Sequence, residues 1–512
     1  MPRTIMQRPI RRALISVFHK EGLAPIVDRL HAHGVEILST GGTQRAIEAL
    51  GAKVTPVESV TQTAEMLGGR VKTLHPMVFG GILARRDFEP DDVDVADHGI
   101  GPIDLVIVDL YPFEETLASG AEEGEIIEKI DIGGIALIRA AAKNFRDVVC
   151  IPSRGQYGDL VEALGNGMTT DLDFRRNMAG AAFGVSSGYD AAIGRWVREG
   201  GNPEVLSVLE TASTPLRYGE NPHQPGAFYG DLEGLFTQHN GKALSYNNLL
   251  DVDAAVQLMG EYKDGGPTVA ILKHNNACGL AARGTLSQAY TDALAGDPIS
   301  AFGGVVIANR TMDLETAEAL HTLFCEVVIA PAFAPEALAL LSKKKNRILL
   351  EQRHWPHAPQ LVRSALGGYL VQQPDDRMEN AEDFTCVTTA APTAEQSEDL
   401  AFALKLAKHT RSNTIVLAKA GQLLASGTGQ TSRVDALNQA IDKAGRMGLS
   451  LEGAVMASDA FFPFPDCVEI AHKAGIAAVV QPGGSIKDGE SVAYCDANGV
   501  VMVTTGVRHF RH

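Results

Sequence analysis

The stretch RRALISVFHKEGLAPIVDRLHAHGVEILSTGGTQRAIEAL, from Arg11 to Leu50, carries two alternating patterns of apolar residues. RALISV and VEILS are compact runs typical of buried strands, and between them apolar residues recur at i, i+3, i+4 and i+7 from Leu23, as on one face of a helix. The order strand, helix, strand is that of a parallel βαβ unit. The apolar run DLVIVDLYPF (Asp104 to Phe113) predicts a central strand, so residues 10 to about 155 are expected to form a doubly wound α/β domain.

The length of the chain indicates more than one domain. With 512 residues and about 150 residues per domain, roughly three folding units are expected. The segment TPLRYGENPHQPGAFYG (Thr214 to Gly230) is rich in Pro, Gly and Asn and begins a new pattern. It predicts a boundary near residue 200, which gives a first domain over 1–200 and a second over 201–512.

The second domain contains a further division and a faint repeat. The polar stretch from Val371 to Leu400 is expected to be a linker or an exposed strand pair, which separates subdomains of about 201–375 and 376–512. TVAILKHNNACG in the first part resembles TIVLAKAGQLLASG in the second, since each is a strand-like run that ends at a lysine. So few matches leave open whether the chain is internally duplicated.

Composition and charge exclude several classes of protein. A net charge of −17 argues against a general nucleic-acid surface, and no apolar run reaches the ~18 residues that a membrane span needs. The six cysteines show no C-x-x-C spacing, so neither a disulfide framework nor a zinc ribbon is indicated. We therefore expect a soluble cytoplasmic protein that binds small molecules, with neither nucleic acid nor membrane as a partner.

The loop STGGT (Ser39 to Thr43) combines backbone freedom with the start of a helix. Gly41 and Gly42 allow a tight turn, and Thr43 is expected to cap the helix that follows. The positive end of this helix favours an anion such as phosphate, and Lys20 could supply a cation at the same edge of the sheet. A plain strand–turn–helix connection would use the same residues, and the motif alone does not decide between the two.

Further polar groups lie near Gly-rich turns in the first domain. Arg70 and Lys72 stand two apart in GGRVKTLHP, so in extended geometry both project to one side and suit an anion, although a solvated basic loop is the alternative. Tyr111 is expected to end the central strand, where open α/β sheets bind ligands. Asp131 in IDIGG and Lys143 in AAAKN complete the set. A lysine such as Lys143 can also simply stabilise a helix end.

LKHNNACG (Leu272 to Gly279) places a lysine, a histidine and a cysteine at the end of an apolar strand-like run. It could be a catalytic pair, half of a metal site, or a strand that has reached water. A zinc site that used His274 and Cys278 would need two more ligands, which the neighbouring residues do not offer.

Eleven motifs in a fixed order resemble one known family. They are GGRVKTLHP, LYPF, IDIGG, RAAAKN, LRYGENPHQ, YNNLLD, LKHNNACG, DPISAFGG, GQTSR, SDAFFPF and the terminal RHFRH. Together they cover essentially the whole chain and resemble the bifunctional purine-biosynthesis family that joins IMP cyclohydrolase to AICAR transformylase. The resemblance implies an N-terminal domain like methylglyoxal synthase and a C-terminal pair of cytidine-deaminase-like α/β subdomains. The deaminase zinc signature is absent, so the likeness to deaminases would be of fold only.

The resemblance implies that the N-terminal domain closes the ring of formyl-AICAR to give IMP. By position, the implied catalytic residues are Lys72, Tyr111, Asp131 and Lys143. The implied ligands of the nucleotide and its phosphate are Ser16, Lys20, Thr40, Gly41, Gly42, Thr43, Arg70 and Thr73. The family usually has Ser-Asp before the first lysine and often Asn before LYPF, whereas this chain has Phe18-His19 and Asp109. Asp109 therefore adds a negative charge near the expected anion.

For the C-terminal part, the resemblance implies formyl transfer from 10-formyltetrahydrofolate to AICAR without a required metal, at a site built across a homodimer interface. The implied catalytic residues are Lys273, His274 and Asn413. The implied substrate ligands are Arg217, Tyr218, His223, Asn248, Glu326, Arg433 and Arg508. Folate is expected near Phe461, Phe462 and Phe464, unless these rings are simply core. Ala277 replaces the proline that more commonly follows LKH in the family.

Two expectations remain to be tested by the structure. Adjacent residues in a regular strand point to opposite faces, so the chain must leave strand conformation at His274 if Lys273 and His274 are to cooperate. Asn275-Asn276 followed by Gly279 would permit such a bend, and Cys278 would then be a small packing residue. The alternative for the whole chain is a monofunctional transformylase whose N-terminal domain only binds a phosphorylated ligand.

Overall fold

The structure is a computed structural model that describes residues 7–165, 167–198, 206, 208, 213–356, 358 and 360–512. The chain forms two compact units, residues 1–211 and 212–512. The predicted boundary between residues 200 and 201 lies outside the described residues. None of the described helices is long and apolar enough to cross a membrane.

Unit 1 alternates strands and helices along the chain. Its strands are β1 Arg8–Pro9, β2 Arg12–Val17, β3 Glu36–Ser39, β4 Val54–Pro56, β5 Leu105–Asp109, β6 Val149–Ile151 and β7 Thr169–Thr170. Its helices are α1 Ala24–Ala32, α2 Gly41–Ala49, α3 Val57–Thr61, α4 Pro76–Leu83, α5 Glu89–Asp97, α6 Phe113–Ala118, α7 Glu123–Ile127, α8 Gly133–Lys143, α9 Tyr157–Leu164 and α10 Leu172–Val197.

The central sheet of unit 1 has the strand order β4-β3-β2-β5-β6, and every pair in it is parallel. Alternating residues of β5 belong to two different cores. Leu105 and Ile107 pack with residues of α1 and α9, whereas Val106 and Val108 pack with residues of α4 and α8. Because both faces are covered by helices, β5 is buried and apolar on both sides from Leu105 to Val108. The predicted doubly wound α/β domain is confirmed.

Two local predictions in unit 1 are wrong. The central strand ends at Asp109 rather than Phe113, so Tyr111 lies in the loop between β5 and α6. Helix α2 already begins at Gly41, which places Thr43 inside its first turn rather than at its cap. The Thr43 hydroxyl instead donates to the Val17 carbonyl oxygen (2.9 Å), so a tertiary contact with β2 has taken the group that a cap would use.

Unit 2 contains the remaining elements. Its strands are β8 Ser213–Leu216, β9 Gly226–Tyr229, β10 Phe236–Asn240, β11 Thr268–Lys273, β12 Asn276–Ala282, β13 Val305–Ala308, β14 Val327–Ala330, β15 Ile348–Gln352, β16 Leu361–Ala365, β17 Gly368–Gln372, β18 Thr385–Cys386, β19 Ile415–Lys419, β20 Gln422–Gly427, β21 Ala454–Ser458, β22 Ile476–Gln481 and β23 Val501–Thr504. Its helices are α11 Leu232–Leu235, α12 Tyr246–Gly260, α13 Leu286–Gly296, α14 Leu314–His321, α15 Pro335–Leu341, α16 Ala394–Lys408, α17 Arg433–Arg446, α18 Asp466–Lys473 and α19 Asp488–Asn498.

Unit 2 is an internal duplication around one 12-stranded sheet of order β10-β15-β14-β13-β11-β12-β20-β19-β21-β22-β23-β18. In the first half an antiparallel hairpin, β11 and β12, is followed by parallel β13, β14 and β15. The second half repeats this with β19 and β20 followed by β21, β22 and β23. The halves meet where β12 pairs with β20. The duplication that the sequence left open is therefore present, while the subdomain limit at 375/376 stays a prediction.

In each half a glycine of the second hairpin strand lies against a helix, although the two glycines are two positions apart in the repeat. A Cβ atom on Gly279 of β12 would lie 1.9 Å from the Ala293 carbonyl oxygen of α13, and one on Gly427 of β20 would lie 1.7 Å from the Ala436 carbonyl oxygen of α17. Each glycine therefore lets a helix pack directly on the strand beside it. Gly279 has this packing role rather than the role in a turn that the sequence suggested.

A polar cluster joins the long helices that cover one face of the sheet. Helices α12 and α16 contribute to one shared core, and the Glu261 carboxylate at the end of α12 accepts from Lys408 Nζ (2.8 Å) and lies 3.0 Å from His409 Nε2. Burial by itself would raise the pKa of Glu261, but the hydrogen bonds from His409 and Lys408 outweigh it and lower the pKa to about 2. The two halves are therefore linked by a part-buried ionic contact as well as by apolar packing.

Candidate active sites

The first candidate site lies at the carboxyl ends of β2, β3 and β5 in unit 1. Lys20 folds back over the end of β2, so that its Nζ donates to the Phe18 carbonyl oxygen (2.8 Å) and lies 3.3 Å from Thr43 Oγ1. Burial lowers the pKa of Lys20, although the carboxylates of Asp109 and Glu21 act in the opposite direction. Ser16, near the end of β2, is half-buried. The predicted cation is thus beside the start of α2.

Lys72 reaches the same helix start from a different loop. Lys72 Nζ lies 2.9 Å from Glu65 Oε2. A Cβ atom built on Gly41 would lie 3.7 Å from Lys72 Nζ. Gly41 itself has a φ of 55°, a conformation that glycine adopts without strain. Thr40 stands at the N-cap with Gly42 exposed next to it. The structure therefore brings Lys20, Lys72 and the first backbone N–H groups of α2 together, which is an arrangement that favours an anion.

Asp131 lies at the beginning of a second helix, α8. The Gly134 N–H donates to Asp131 Oδ1 (2.6 Å), and the Asp131 N–H donates to the Tyr189 hydroxyl oxygen (2.8 Å). Burial raises the pKa of Asp131, even though backbone N–H groups, including that of Tyr111, donate to its carboxylate. Burial therefore makes the Asp131 carboxyl group a weaker acid than an exposed aspartate, with its pKa raised.

The remaining predicted residues of this site differ in how far the structure supports them. Tyr111 is 42% exposed in its loop, and Thr73 lies beside Gly133 at the start of α8, since a Cβ on Gly133 would be 3.3 Å from Thr73 Oγ1. Arg70 points into solvent and forms an ion pair with Glu128. Lys143 is the last residue of α8, about 15 Å along the helix from its start, so a single chain does not bring Lys143 to Asp131.

The second candidate site is a cavity of about 380 Å³ between the two halves of unit 2. Lys273 and His274 both line it, together with Asp297 and Ser300 from the first half and Thr428 and Lys443 from the second. Lys443 Nζ lies 2.8 Å from Asp297 Oδ2, so an ion pair bridges the halves at the cavity wall. Lys273 Nζ donates to the Phe302 carbonyl oxygen (2.7 Å), which holds the ammonium group in place.

The chain leaves strand conformation at His274, as expected. His274 and Asn275 form the two-residue turn between β11 and β12 and have φ values of 51° and 64°. Asn276 already belongs to β12 and pairs with Lys273, so the turn is one residue earlier than the predicted Asn275-Asn276. Cys278 is buried in the core of the first half and its thiol faces the Ile271 carbonyl oxygen, which confirms its packing role.

Asp251 anchors this turn and was not identified from the sequence. Its Oδ1 accepts a hydrogen bond from the Asn275 N–H (2.7 Å). Burial raises the pKa of Asp251, while that N–H and the nearby His274 and Lys273 side chains act against the shift. The residue ends the motif YNNLLD, so the motif carried the signal, but only the fold places its carboxylate under the turn.

A separate polar cluster surrounds the C-terminal tail. Arg433 Nη2 lies 3.1 Å from Asp459 Oδ1, and the Ser412 hydroxyl donates to the same carboxylate. Asn413 is held by Gln430, whose carbonyl oxygen accepts from the Asn413 side-chain N–H (2.9 Å). Arg508 is exposed and stacks on Phe510 at 4.2 Å from the ring centre. Asn413, Arg433 and Arg508 are thus near one another, while none of them lines the cavity at Lys273.

The other predicted substrate ligands lie elsewhere in unit 2. Arg217 and Tyr218 follow strand β8 and contact each other, with Arg217 Nη2 2.7 Å from the Tyr218 hydroxyl, and His223 is exposed in the same hairpin. Asn248 Oδ1 accepts from the N–H and hydroxyl of the residue that caps α12, so its acceptor already stabilises that helix. Glu326 forms an ion pair with Lys242 (2.5 Å).

Both units match known families over most of their length. A model of the AICARFT/IMPCHase bienzyme matches residues 141–443, and a model of the MGS-like domain matches residues 22–136. The chain belongs to the AICARFT/IMPCHase bienzyme family.

Curated relatives named "Bifunctional purine biosynthesis protein PurH" extend this match to the full chain. The protein of Bacteroides thetaiotaomicron is 57% identical and the match covers 98% of this chain and 99% of the relative. The protein of Dinoroseobacter shibae is 48% identical, and the match covers 98% of this chain and 99% of the relative. The protein of Chloroflexus aurantiacus is 46% identical, and the match covers 99% of this chain and 100% of the relative.

One residue expected to bind folate in this bienzyme is part of the core instead. Phe462 is fully buried among residues of the second half, so its ring cannot flank a pterin at the surface. Phe461 and Phe464, on either side of it, are 38% and 51% exposed. Residues 463 and 464 lie in a bend and not in a strand, so the direction of each ring is set by local packing. The prediction therefore narrows to Phe461 and Phe464.

Proposed function

We propose that this chain catalyses two consecutive steps: formyl transfer from 10-formyltetrahydrofolate to AICAR, and dehydrative closure of formyl-AICAR to IMP. The observation that carries the proposal is the turn at Lys273 and His274, which brings a base and a cation into one cavity. A second site with two lysines at a helix start lies in the other unit. Relatives named as bifunctional align with both units, so a monofunctional transformylase is not favoured.

In the proposed formyl transfer, His274 accepts the proton that the 5-amino group of AICAR loses as its nitrogen attacks the formyl carbon. An imidazole suits this task near neutral pH. The ammonium group of Lys273, held close to the turn by the Phe302 carbonyl, stabilises the oxyanion that forms. When the carbonyl re-forms, the folate nitrogen leaves with the proton that His274 had accepted. The side chain of Asn413 serves as an orienting amide for the substrate, and Phe461 and Phe464 offer faces for the pterin.

In the proposed ring closure, the carboxamide nitrogen attacks the formyl carbon and the resulting carbinolamine loses water. Lys20, Lys72 and the start of α2 hold the phosphate-bearing substrate by charge. Asp131, whose pKa is raised by burial, supplies a proton to the departing hydroxyl. Tyr111, in the loop next to it, orients the reacting group. Because an amide is a weak nucleophile, positioning contributes more than a strong base.

We further propose that the chain works as a homodimer in the cytoplasm. Arg217, Tyr218 and His223 do not line the cavity at Lys273, and Lys143 is distant from Asp131, so a second copy would supply them. The hairpin of β16 and β17 exposes apolar side chains, with Leu366, Tyr369 and Leu370 at 107%, 67% and 64% exposure. A group of exposed apolar residues of this kind is typical of an interface.

A two-step assay tests the proposal. Purified protein is supplied with AICAR and 10-formyltetrahydrofolate, and separately with formyl-AICAR, and IMP is followed by its absorbance. IMP should form in both mixtures. Formyl-AICAR that accumulates from AICAR without conversion to IMP would refute bifunctionality, and no reaction in either mixture would refute both activities.

The dimer is tested by mixing two inactive variants. Arg217→Ala and Lys273→Ala should each fail in formyl transfer, and a mixture that has exchanged subunits should regain activity because some sites then combine two intact contributions. No recovery, in a mixture shown by light scattering to contain mixed dimers, would mean that Arg217 and Lys273 serve the same chain.

A further inference from the structure

The ends of β2 and β5 are tied together through a single carboxylate. Val17 pairs with Asp109 in the sheet, and the Phe18 N–H donates to the Asp109 main-chain carbonyl oxygen (3.1 Å). Asp109 Oδ2 accepts a hydrogen bond from the His19 backbone N–H (2.8 Å). The same oxygen lies 2.8 Å from His19 Nδ1. The Asp109 side chain is only 12% exposed. The loop after β2 is thus attached to the loop after β5 by backbone and side-chain bonds.

His19 also changes the electrostatic role of Asp109. A carboxylate only accepts hydrogen bonds, so Nδ1 of His19 must carry the hydrogen. Arg154 Nε lies 3.9 Å from the other oxygen, Oδ1, and on the far side of the ring His19 Nε2 lies 3.9 Å from Glu115 Oε2. Asp109 is therefore engaged by His19 and Arg154 and does not present an unpaired negative charge to the phosphate-binding residues.

The pair is connected to Tyr111 through an aromatic ring. Phe18 contacts the His19 ring edge to face (centroids 4.9 Å apart) and the Tyr111 ring in the same manner (5.7 Å). Such edge-to-face pairs have a preferred geometry, so the position of one ring constrains the next. Lys129 Nζ lies 5.3 Å from the Phe18 ring centre and closes the other side. The rings of His19, Phe18 and Tyr111 thus form one continuous line of contacts.

Positions 19 and 109 contact each other directly, with the donor at position 19 and the acid at position 109. We infer that His19 and Asp109 form one positioning unit for ring closure: their hydrogen bond holds Phe18 against Tyr111 and so orients the Tyr111 hydroxyl. This inference rests on the proposed cyclohydrolase activity.

The first test compares two replacements of His19 by the kcat and KM of IMP formation from formyl-AICAR. His19→Ala removes the side-chain donor and keeps the backbone one, and because one hydrogen bond to a charged group is lost, kcat should fall about ten- to a hundredfold. His19→Asn keeps a side-chain N–H near the Nδ1 position and should stay within about threefold of wild type. KM should change less than kcat, since Lys20 and Lys72 are untouched. Formyl transfer by the same preparations, located in the other unit, should be unchanged.

The second test exchanges the pair. His19→Asp alone opposes two carboxylates and should be the most impaired, and Asp109→Asn alone weakens the bond. The double variant again pairs a donor, now the side-chain amide introduced at position 109, with an acceptor, so it should recover at least about tenfold in kcat over His19→Asp alone.

Three outcomes would overturn the inference. The first two apply when the wild-type enzyme closes the ring. If His19→Asn then has a kcat as low as that of His19→Ala, the positioning unit is refuted while the proposed function stands. The same holds if the double variant shows the summed losses of the two single variants. A wild-type enzyme that does not close the ring refutes the proposed function and the inference with it. Should His19→Asp fail to fold, as judged by its melting curve, the comparison of Ala and Asn at position 19 still decides.

Discussion

Replacement of Asp251 by alanine should impair formyl transfer without removing any group that touches the substrate. Asp251 holds the Asn275 N–H, and the turn that it anchors contains two residues other than glycine at positive φ, 51° and 64°. Each such conformation costs of order 1 kcal/mol and persists only where surrounding contacts impose it. The anchor is a hydrogen bond to a charged group, which contributes about 1.5–3 kcal/mol.

This hydrogen bond holds His274 in the cavity. At about 1.4 kcal/mol per factor of ten, its loss corresponds to a decrease of roughly ten- to a hundredfold in the rate of formyl transfer. Asp251→Ala should therefore lower kcat/KM for formyl transfer by this amount. Asp251→Asn, which keeps an acceptor oxygen but not its charge, should fall between the alanine variant and the wild type. Ring closure of supplied formyl-AICAR is the internal control, because it uses the other unit.

The duplicated half of the same unit provides a matched control. Asp399 Oδ2 and Oδ1 accept from the Ala420 and Gly421 N–H groups, each at 2.7 Å, at the equivalent turn between β19 and β20. That turn carries no ionisable side chain, since Ala420 stands where His274 stands in the first half. Asp399→Ala should lower the melting temperature at least as much as Asp251→Ala, because it removes two hydrogen bonds, yet keep formyl transfer within about twofold of wild type.

Equal losses of formyl transfer in the two variants would refute the reasoning. Such a result would mean that either aspartate acts through the stability of the whole unit and not through the position of His274. Activity of Asp251→Ala equal to that of wild type would likewise show that the turn keeps its geometry without the anchor.

Three further outcomes are expected. His274→Ala should lower the rate of formyl transfer by about 10²- to 10⁴-fold, the usual contribution of a general base, and leave ring closure intact; equal loss of both in a folded protein would contradict separate sites. Lys72→Ala should impair IMP formation from formyl-AICAR alone, and a transformylase defect would contradict the assignment. Glu261→Gln should cost about 3 kcal/mol at pH 7 in denaturant unfolding. Because the pKa of Glu261 is lowered to about 2, its contribution is present above the ordinary glutamate value and is lost as the pH falls, so the difference from wild type should shrink toward pH 2; a constant difference would exclude an ionic role.

Several features of the fold and sites could be predicted because they depend on residues close together in the chain. The apolar periodicity around Leu23 gives the helix between two strands, and residues 13 to 15 and 105 to 108 are buried strands as the pattern predicted. The bend at His274 followed from local geometry together with the family resemblance, which implied that Lys273 and His274 act on one substrate. A lysine and a histidine in adjacent positions can share one cavity only if the chain turns between them.

Predictions that depended on distant contacts were less successful. The sequence pattern predicted that Thr43 caps a helix, but its hydroxyl is used by Val17, which is 26 positions earlier. Phe462 was grouped with its neighbours because all three are aromatic, and only packing decides that its ring enters the core. Lys143 belongs to the expected catalytic set by motif, but the length of α8 separates it from Asp131 within one chain.

The sequence by itself determined the layered α/β architecture, the two groups of reactive side chains and the family to which the chain belongs, because periodicity and motifs are properties of neighbouring residues. The tertiary structure decided that the turn with Lys273 and His274 opens into a cavity between the two halves and is anchored by Asp251. It also decided that His19 and Asp109, 90 positions apart, share a hydrogen bond. That contact exists because β2 and β5 are adjacent strands of one parallel sheet, and strand order is set by the packing of whole elements and not by the residues within any one of them.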